Sequence, residues 1–380
     1  MSFNLSKHIF LPLVLVLALF ATSCNSYQKI VKSDNWEYKY NKAIEFYNKG
    51  AYYKAIPVIE DLLVYYKGTE KAEELYFYYA NCHFQQNSFT ISAYHFKNYV
   101  SQYPYSDRAA ESLYLYAMSH YNMSPERSLD QENTYKAIEA FQVFINTYPD
   151  SEKVAEANDK IASLRDKLEK KALENADLYY RTSNFRAAAN EYLNILVNYP
   201  DIENAEEIAW KALKARFMFA DNSTFRRQVE RFEETLKVYK DFVYKYPDSK
   251  FRKEADGMFE ESNFRIIRSS YNHAVLSLLK DREKMFRATI NLYEKHFPKI
   301  TDQRNAEEAK RLLEGAYFMI VKTNYQLAQN SAKQARSKWY SKTINSYFNF
   351  IDKYSSSKFA NEAEKIYEAS TENLNKIKNG

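Results

Sequence analysis

A short punctuation motif recurs along this chain and restricts what it can fold into. "FINTYPDSEKVAEA" runs from Phe144 to Ala157, with close copies in "YVSQYPYSDRAAES" from Tyr99, "ILVNYPDIENAEEI" from Ile195 and "FVYKYPDSKFRKEA" from Phe242. Weaker copies are "LLVYYKGTEKAEEL" from Leu62 and "FIDKYSSSKFANEA" from Phe350. Proline cannot continue a helix and restricts the residue before it, so a helix should stop near Tyr148. Asp150 and Ser151 are expected to accept hydrogen bonds from free N–H groups at the start of the next helix. "EKVAEA" then supplies first-turn acids and good helix formers. The motif reads as helix end, turn, new helix.

Taking the proline position as a marker gives Lys67, Pro104, Pro149, Pro200, Pro247, Pro298 and Ser355, between 37 and 57 residues apart. The tetratricopeptide repeat (TPR) is a helix pair with a basic period of about 34 residues. The wider intervals require extended helices or inserted turns. The second helix of such a pair wants one small residue and then two large apolar ones, four and seven positions on. The chain supplies Ala55/Ile59/Leu62, Ser92/Phe96/Tyr99, Ala137/Phe141/Phe144, Ala188/Tyr192/Ile195, Thr235/Tyr239/Phe242 and Thr343/Tyr347/Phe350. Phe286/Ile290/Tyr293 breaks the small-residue rule. "NKGAYYKAI" from Asn48 resembles a TPR interhelix turn. The expected fold is all-α, a TPR-type helix-pair solenoid.

With 5 Gly against 35 Tyr and 25 Phe, the composition disfavours β-rich folds and glycine phosphate loops. Net charge is +5 with acids and bases interspersed, a solvated mixed surface rather than a nucleic-acid stripe. At the N-terminus Lys7 precedes the apolar run Ile9 to Phe20, too short to span a bilayer as a mature helix and suited to a signal-peptide core. Small residues in "ATSC" precede Cys24, which resembles a bacterial lipobox: residues 1–23 are removed and Cys24 is acylated. The rival is an ordinary secretory signal with an incidental cysteine. Several acyl chains would give stable anchoring. Only Cys82 then remains, so no intramolecular disulfide forms, and Cys82 reads as a small buried helix residue.

The order and spacing of these elements resemble the BamD family, TPR lipoproteins of the outer-membrane β-barrel assembly machine. The carrying segments are "YNKAIEFYNKGAYYKAIPVIEDLL", "YPYSDRAAESLYLYAMSHYN", the insertion beginning "MSPERSLDQENTYKAIEA", and "IASLRDKLEKKALENADLYYRTSNFRAAANEYLNILVNYPD". The resemblance covers roughly 24–215 and leaves 216–380 as an extension, read as further helical repeats. It implies a periplasm-facing, outer-membrane-anchored scaffold that binds a BamA-type β-barrel insertase and the C-terminal signals of unfolded outer-membrane proteins. The rivals are another periplasmic TPR scaffold organising cell-envelope enzymes, and a SusD-like glycan-binding lipoprotein; the latter family is richer in Gly and loops.

No GxSxG, phosphate-loop or HExxH pattern occurs, so no catalytic residue, metal or cofactor is assigned. His83 and His95 are twelve apart and the other histidines are isolated. First helices line the concave face of TPR proteins. Counting back from the first two markers places Tyr40, Ile44, Tyr47 and Asn48 there, then Glu74, Phe77, Asn81, Phe84 and Gln85. Rings that bury side chains beside amides that pair with backbone would suit an extended peptide, although several of these rings could equally be inter-repeat core. Pro125, Glu126 and Arg127, in the insertion from Ser124 to Thr134, are either a partner contact or a solvated loop.

Overall fold

The computed structural model describes residues 26–379, so Cys24 lies outside the described residues. Among them there are helices and turns but no strand. The chain divides into two compact units, up to Lys171 and from Ala172.

Unit one holds a leader helix at 26–31, then α1 (Trp36–Asn48), α2 (Tyr52–Tyr65), α3 (Glu70–Gln85), α4 (Phe89–Gln102), α5 (Ala109–Met123) and α6 (Glu132–Thr147). The dividing line falls within α7 (Val154–Arg181). Unit two continues with α8 (Phe185–Asn198), α9 (Ala205–Asp221), α10 (Phe225–Lys245), α11 (Arg252–Leu276), α12 (Leu279–His296), a 3-10 turn (Phe297–Lys299), α13 (Gln303–Asn330), α14 (Lys333–Tyr354) and α15 (Ala360–Asn379). Short connections make successive helices antiparallel neighbours. Each unit is a stack of TPR-type helix pairs.

The YP motif is the punctuation its chemistry demands. Tyr103, Tyr148, Tyr199 and Tyr246 are the C-caps of α4, α6, α8 and α10, with φ of −127°, −129°, −129° and −131°. Each cap N–H donates to the carbonyl of the last core residue of its helix: Tyr99, Phe144, Ile195 or Phe242. At the turn, it is the serine that accepts: Oγ of Ser106, Ser151, Ser249 and Ser357 takes the N–H of Arg108, Lys153, Phe251 and Phe359 at 3.0–3.3 Å. Three of these serines also donate to a glutamate on the first helix of the pair just completed. Ser106 reaches Glu73 and Ser249 reaches Glu206, both at 2.5 Å, and Ser357 reaches Glu314. Thr301 and Glu260 repeat the arrangement after α12, with Oγ1 at 3.1 Å from the carboxylate.

The core follows the small–large–large register. Ala55, Ile59, Leu62, Ser92, Phe96, Tyr99, Ala137, Phe141, Phe144 and Ala188 are fully buried. Thr235 and Thr343 occupy the small positions of α10 and α14, while Tyr239 and Tyr347 are half-buried. The exception has a physical reason. Phe286, fully buried, is accommodated by small residues on neighbouring helices, Ala274 and Ala316. Gly315 beside them leaves room for Tyr271: a methyl there would lie 2.9 Å from its hydroxyl. Cys82 is fully buried, and burial pushes its thiol up to about 12.

Candidate functional site

The surface singled out by the sequence lies on α1 and α3, whose equivalent positions meet one repeat apart. Three contacts span 34 residues each, the TPR period. Lys71 Nζ bonds Glu37 at 2.6 Å, Tyr40 donates to Glu74, and Asn81 Nδ2 donates to the Tyr47 hydroxyl at 2.8 Å. Gln85 extends the row by donating to Asn81 Oδ1 at 3.2 Å. Glu74 is the hub. It also accepts from Tyr78 at 3.1 Å and faces the Arg108 guanidinium at 3.7 Å. Burial and the Glu74 carboxylate push the Tyr40 phenol far above its usual range, so it remains a donor. Burial takes Tyr47 up to about 12. Its ring lies 4.3 Å from Tyr78 and 5.8 Å from Tyr52, centroid to centroid.

The structure thus brings Tyr40, Tyr47, Glu74, Asn81 and Gln85 together, while separating others from them. Phe77 is not a groove ring. It is 4% exposed and packs edge-on against Phe96 and Tyr99, because its side of α3 turns toward α4. Phe84 is half-buried and also directed at α4, 5.5 Å from Phe89 and 6.4 Å from Phe96. Asn81, at 8% exposed, uses its amide within the row. Ile44 is half-buried, and Asn48 and Gln85 are exposed. On this face Tyr40 and Tyr47 are half-buried, and the side chains of Asn48 and Gln85 are exposed where α1 and α3 end.

The insertion is an ordered loop. Lys167, on α7, donates to Ser124 and to the Pro125 carbonyl at 3.0 Å, and Lys171 bonds the carbonyls of Arg127 and Leu129, both at 2.6 Å. From the other side Gln131 holds the Glu126 and Leu129 carbonyls at 2.8 and 2.9 Å. Pro125 is half-buried in this frame, whereas the side chains of Glu126 and Arg127 are exposed.

A second first-helix surface, in unit two, escaped the sequence reading. Asp177, Tyr180 and Arg181 of α7 join Tyr192, Trp210 and Lys211 around a cavity of about 410 Å³. Asp177 accepts from Tyr192 at 2.5 Å and meets Lys211 at 3.3 Å, again 34 residues on. Asp177, Tyr180 and Arg181 precede Pro200 by the same spacing that separates Asn81, Phe84 and Gln85 from Pro104, so counting back from the third proline marker would have found them. Among the described residues, no group of three or more His, Cys, Asp or Glu side chains is placed to hold a metal ion, and no helix is long and apolar enough to cross a membrane.

Residues 33–218 match the family described as "YfiO: Outer membrane lipoprotein", just under half of the chain. Among curated proteins, the chain is 21% identical over 212 residues to "Outer membrane protein assembly factor BamD" of Rickettsia prowazekii, covering 56% of this chain and 80% of that protein. Similar solved structures include the "TPR2AB-domain:pHSP90-complex of yeast Sti1" (12% identity, 74% of this chain and 98% of that one, TM-score 0.29). Another is a TPR protein from Parabacteroides merdae (11% identity, 89% and 100% coverage, TM-score 0.26). The family match and the 34-residue contacts between first helices fall on the same stretch, and over residues 33–218 the chain resembles the BamD-type outer-membrane lipoproteins.

Proposed function

We propose that this chain is an outer-membrane lipoprotein scaffold of β-barrel assembly, acylated at Cys24 and facing the periplasm. In this reading it has no bond-making chemistry of its own, binding a BamA-type insertase and the C-terminal signals of unfolded barrel precursors. The observation that carries the reading is the family match over residues 33–218. The row from Tyr40 to Gln85 supplies a compatible surface: an extended strip of phenol edges, one shared carboxylate and exposed amides able to pair with a peptide backbone.

Affinity purification of the intact lipoprotein from detergent-solubilised outer membranes tests the partner. A BamA-type insertase among the co-purifying chains is the expected result; cell-envelope enzymes in its place would favour the rival scaffold. For the groove, Tyr40→Ala with Tyr47→Ala should weaken binding of an aromatic-ended peptide more than tenfold, the scale of losing about 2 kcal/mol at an anchor. Thermal unfolding measured alongside separates lost binding from lost packing. Unchanged peptide affinity removes the strip as the receiving site.

A further inference from the structure

Where the anchor joins the fold determines which part of unit one meets the bilayer. The leader helix at 26–31 is docked on the first pair: Ile30 is 7% exposed within the cluster of Ala55, Val58 and Ile59. Tyr27 donates its hydroxyl to the Lys54 carbonyl at 3.3 Å and sets its ring edge-on, 5.9 Å from Phe46. Phe46 and Lys54 flank the turn between α1 and α2. Cys24 is three residues from Tyr27, so their Cα atoms are at most about 11 Å apart. An acylated Cys24 therefore cannot sit far from this turn, whatever path the intervening residues take.

The turn has the chemistry of an interfacial surface. Tyr53 is 66% exposed, with the Lys54 ammonium 5.6 Å from its ring centroid. Lys29 and Lys49 are exposed beside it, and the nearby acid, Glu45, is already engaged at 2.6 Å by both Lys42 and Lys49. Gly50, at φ +69°, makes the turn tight. Tyrosine favours the headgroup region and lysines near a bilayer are attracted to anionic lipid.

We propose that the α1–α2 turn is a bilayer-contact surface, seating Tyr53 among the headgroups with Lys29, Lys49 and Lys54 facing anionic lipid. This rests on acylation of Cys24. Helices of unit one then stand with this end toward the membrane, and the α4–α5 turn, where Tyr105 is 99% exposed, faces water.

The test is a nitroxide label on Tyr53→Cys, on Lys54→Cys and on Tyr105→Cys. The acylated full chain is placed in vesicles of phosphatidylethanolamine and phosphatidylglycerol. Cys82 is buried and its thiol raised, so labelling is confined to the new site. The ratio of oxygen collisions to collisions with a water-soluble nickel chelate should be higher at 53 and 54 than at 105, and adding the vesicles should lower chelate access at 53 and 54 and leave it unchanged at 105. Acylated, vesicle-bound protein with the labels at 53 and 54 in water overturns the orientation while leaving the lipoprotein reading intact. A mature N-terminus without acyl chains, by mass spectrometry, overturns both.

Discussion

The two units share one grammar, and unit two stretches it only after its first pair, where Asp177 and Lys211 still meet 34 residues apart. In unit one the helices α1 to α6 have 13 to 16 residues, and first helices touch their equivalents 34 residues on. In unit two α10, α11 and α13 reach 21, 25 and 28 residues. There Glu261 holds Asn305 across 44 residues and Lys322 holds Glu362 across 40. The added length goes into helices rather than loops, so longer stripes must be filled. Unit two fills them partly with buried polar pairs: Gln228 with Ser269 at 2.6 Å, Ser270 with Thr289 at 2.8 Å, Asn263 with His296 at 2.8 Å and Asn324 with Ser346 at 2.9 Å. Each pair favours one alignment between two long helices, because sliding by a turn would break a hydrogen bond between two buried side chains. Unit one relies more on aromatic contacts such as Phe77 with Phe96 and Tyr114 with Phe144. Short helices with large interlocking rings need less help to keep register.

The strongest way to break this comparison is Phe286→Ala. Removing a fully buried ring should cost about 3–5 kcal/mol, read by chemical denaturation. Hydrogen exchange should rise in α11 to α13 and hold steady in α1 to α4. Equal loss of protection in both units would show that they unfold as one body. Next in size is Ala137→Phe, which overpacks a close approach in unit one at about 1–3 kcal/mol. An unchanged melting temperature would mean that the small-residue register is wrong there.

Acid should weaken both units. Burial, with His83 stacked nearby, holds His95 down at about 4; burial, with Lys299 and Lys295 nearby, does the same for His296. Unfolded histidine titrates at about 6.5, so between these values the unfolded chain binds more protons. The stability is complete above pH 6.5 and falls as pH drops toward 4, on the order of 1 kcal/mol per pH unit for each ring. His296→Gln should flatten this slope while leaving the contribution of His95; an unaltered acid profile would remove His296 as a contributor. The smallest effect is expected for Ser249→Ala, which removes the tie to Glu206 and should cost about 0.5–1.5 kcal/mol by thermal unfolding. No loss there would make the serine–glutamate tie incidental.

Much of this architecture is written in local chemistry. Tyr148 stops a helix because Pro149 follows it, and Ala137, Phe141 and Phe144 announce a buried stripe by spacing alone. What spacing could not resolve was the direction of rings on the first helices. Tyr40 and Phe77 both lie on a predicted inner face, yet a few tens of degrees of helix rotation turn Phe77 into the contact with α4. The loop from Ser124 to Thr134 was legible as an insertion, but the lysines that hold its carbonyls come more than 40 residues later, on a face that reads as solvated charge. The docked leader helix had no signal beyond Tyr27 and Ile30, too short a run to show periodicity.

The glutamate ties also set an order of completion. Glu73, Glu206, Glu260 and Glu314 each sit on the first helix of a pair, and each waits for a hydroxyl that arrives 33 to 43 residues later, after the second helix has ended. A chain delivered N-terminus first can form the two helices of a pair early, but it cannot fasten them until the following turn has emerged. The turn acts as a latch, and its hydroxyl is the part that comes last: Ser106 and Ser249 within Tyr-Pro-x-Ser, Ser357 within Tyr-Ser-Ser-Ser, and Thr301 shortly after Phe-Pro. Truncation just before such a turn leaves a pair whose helices are whole and whose fastener is missing, so clean-looking boundaries between helices are poor places to cut this protein; cuts placed after the serine keep the last pair closed.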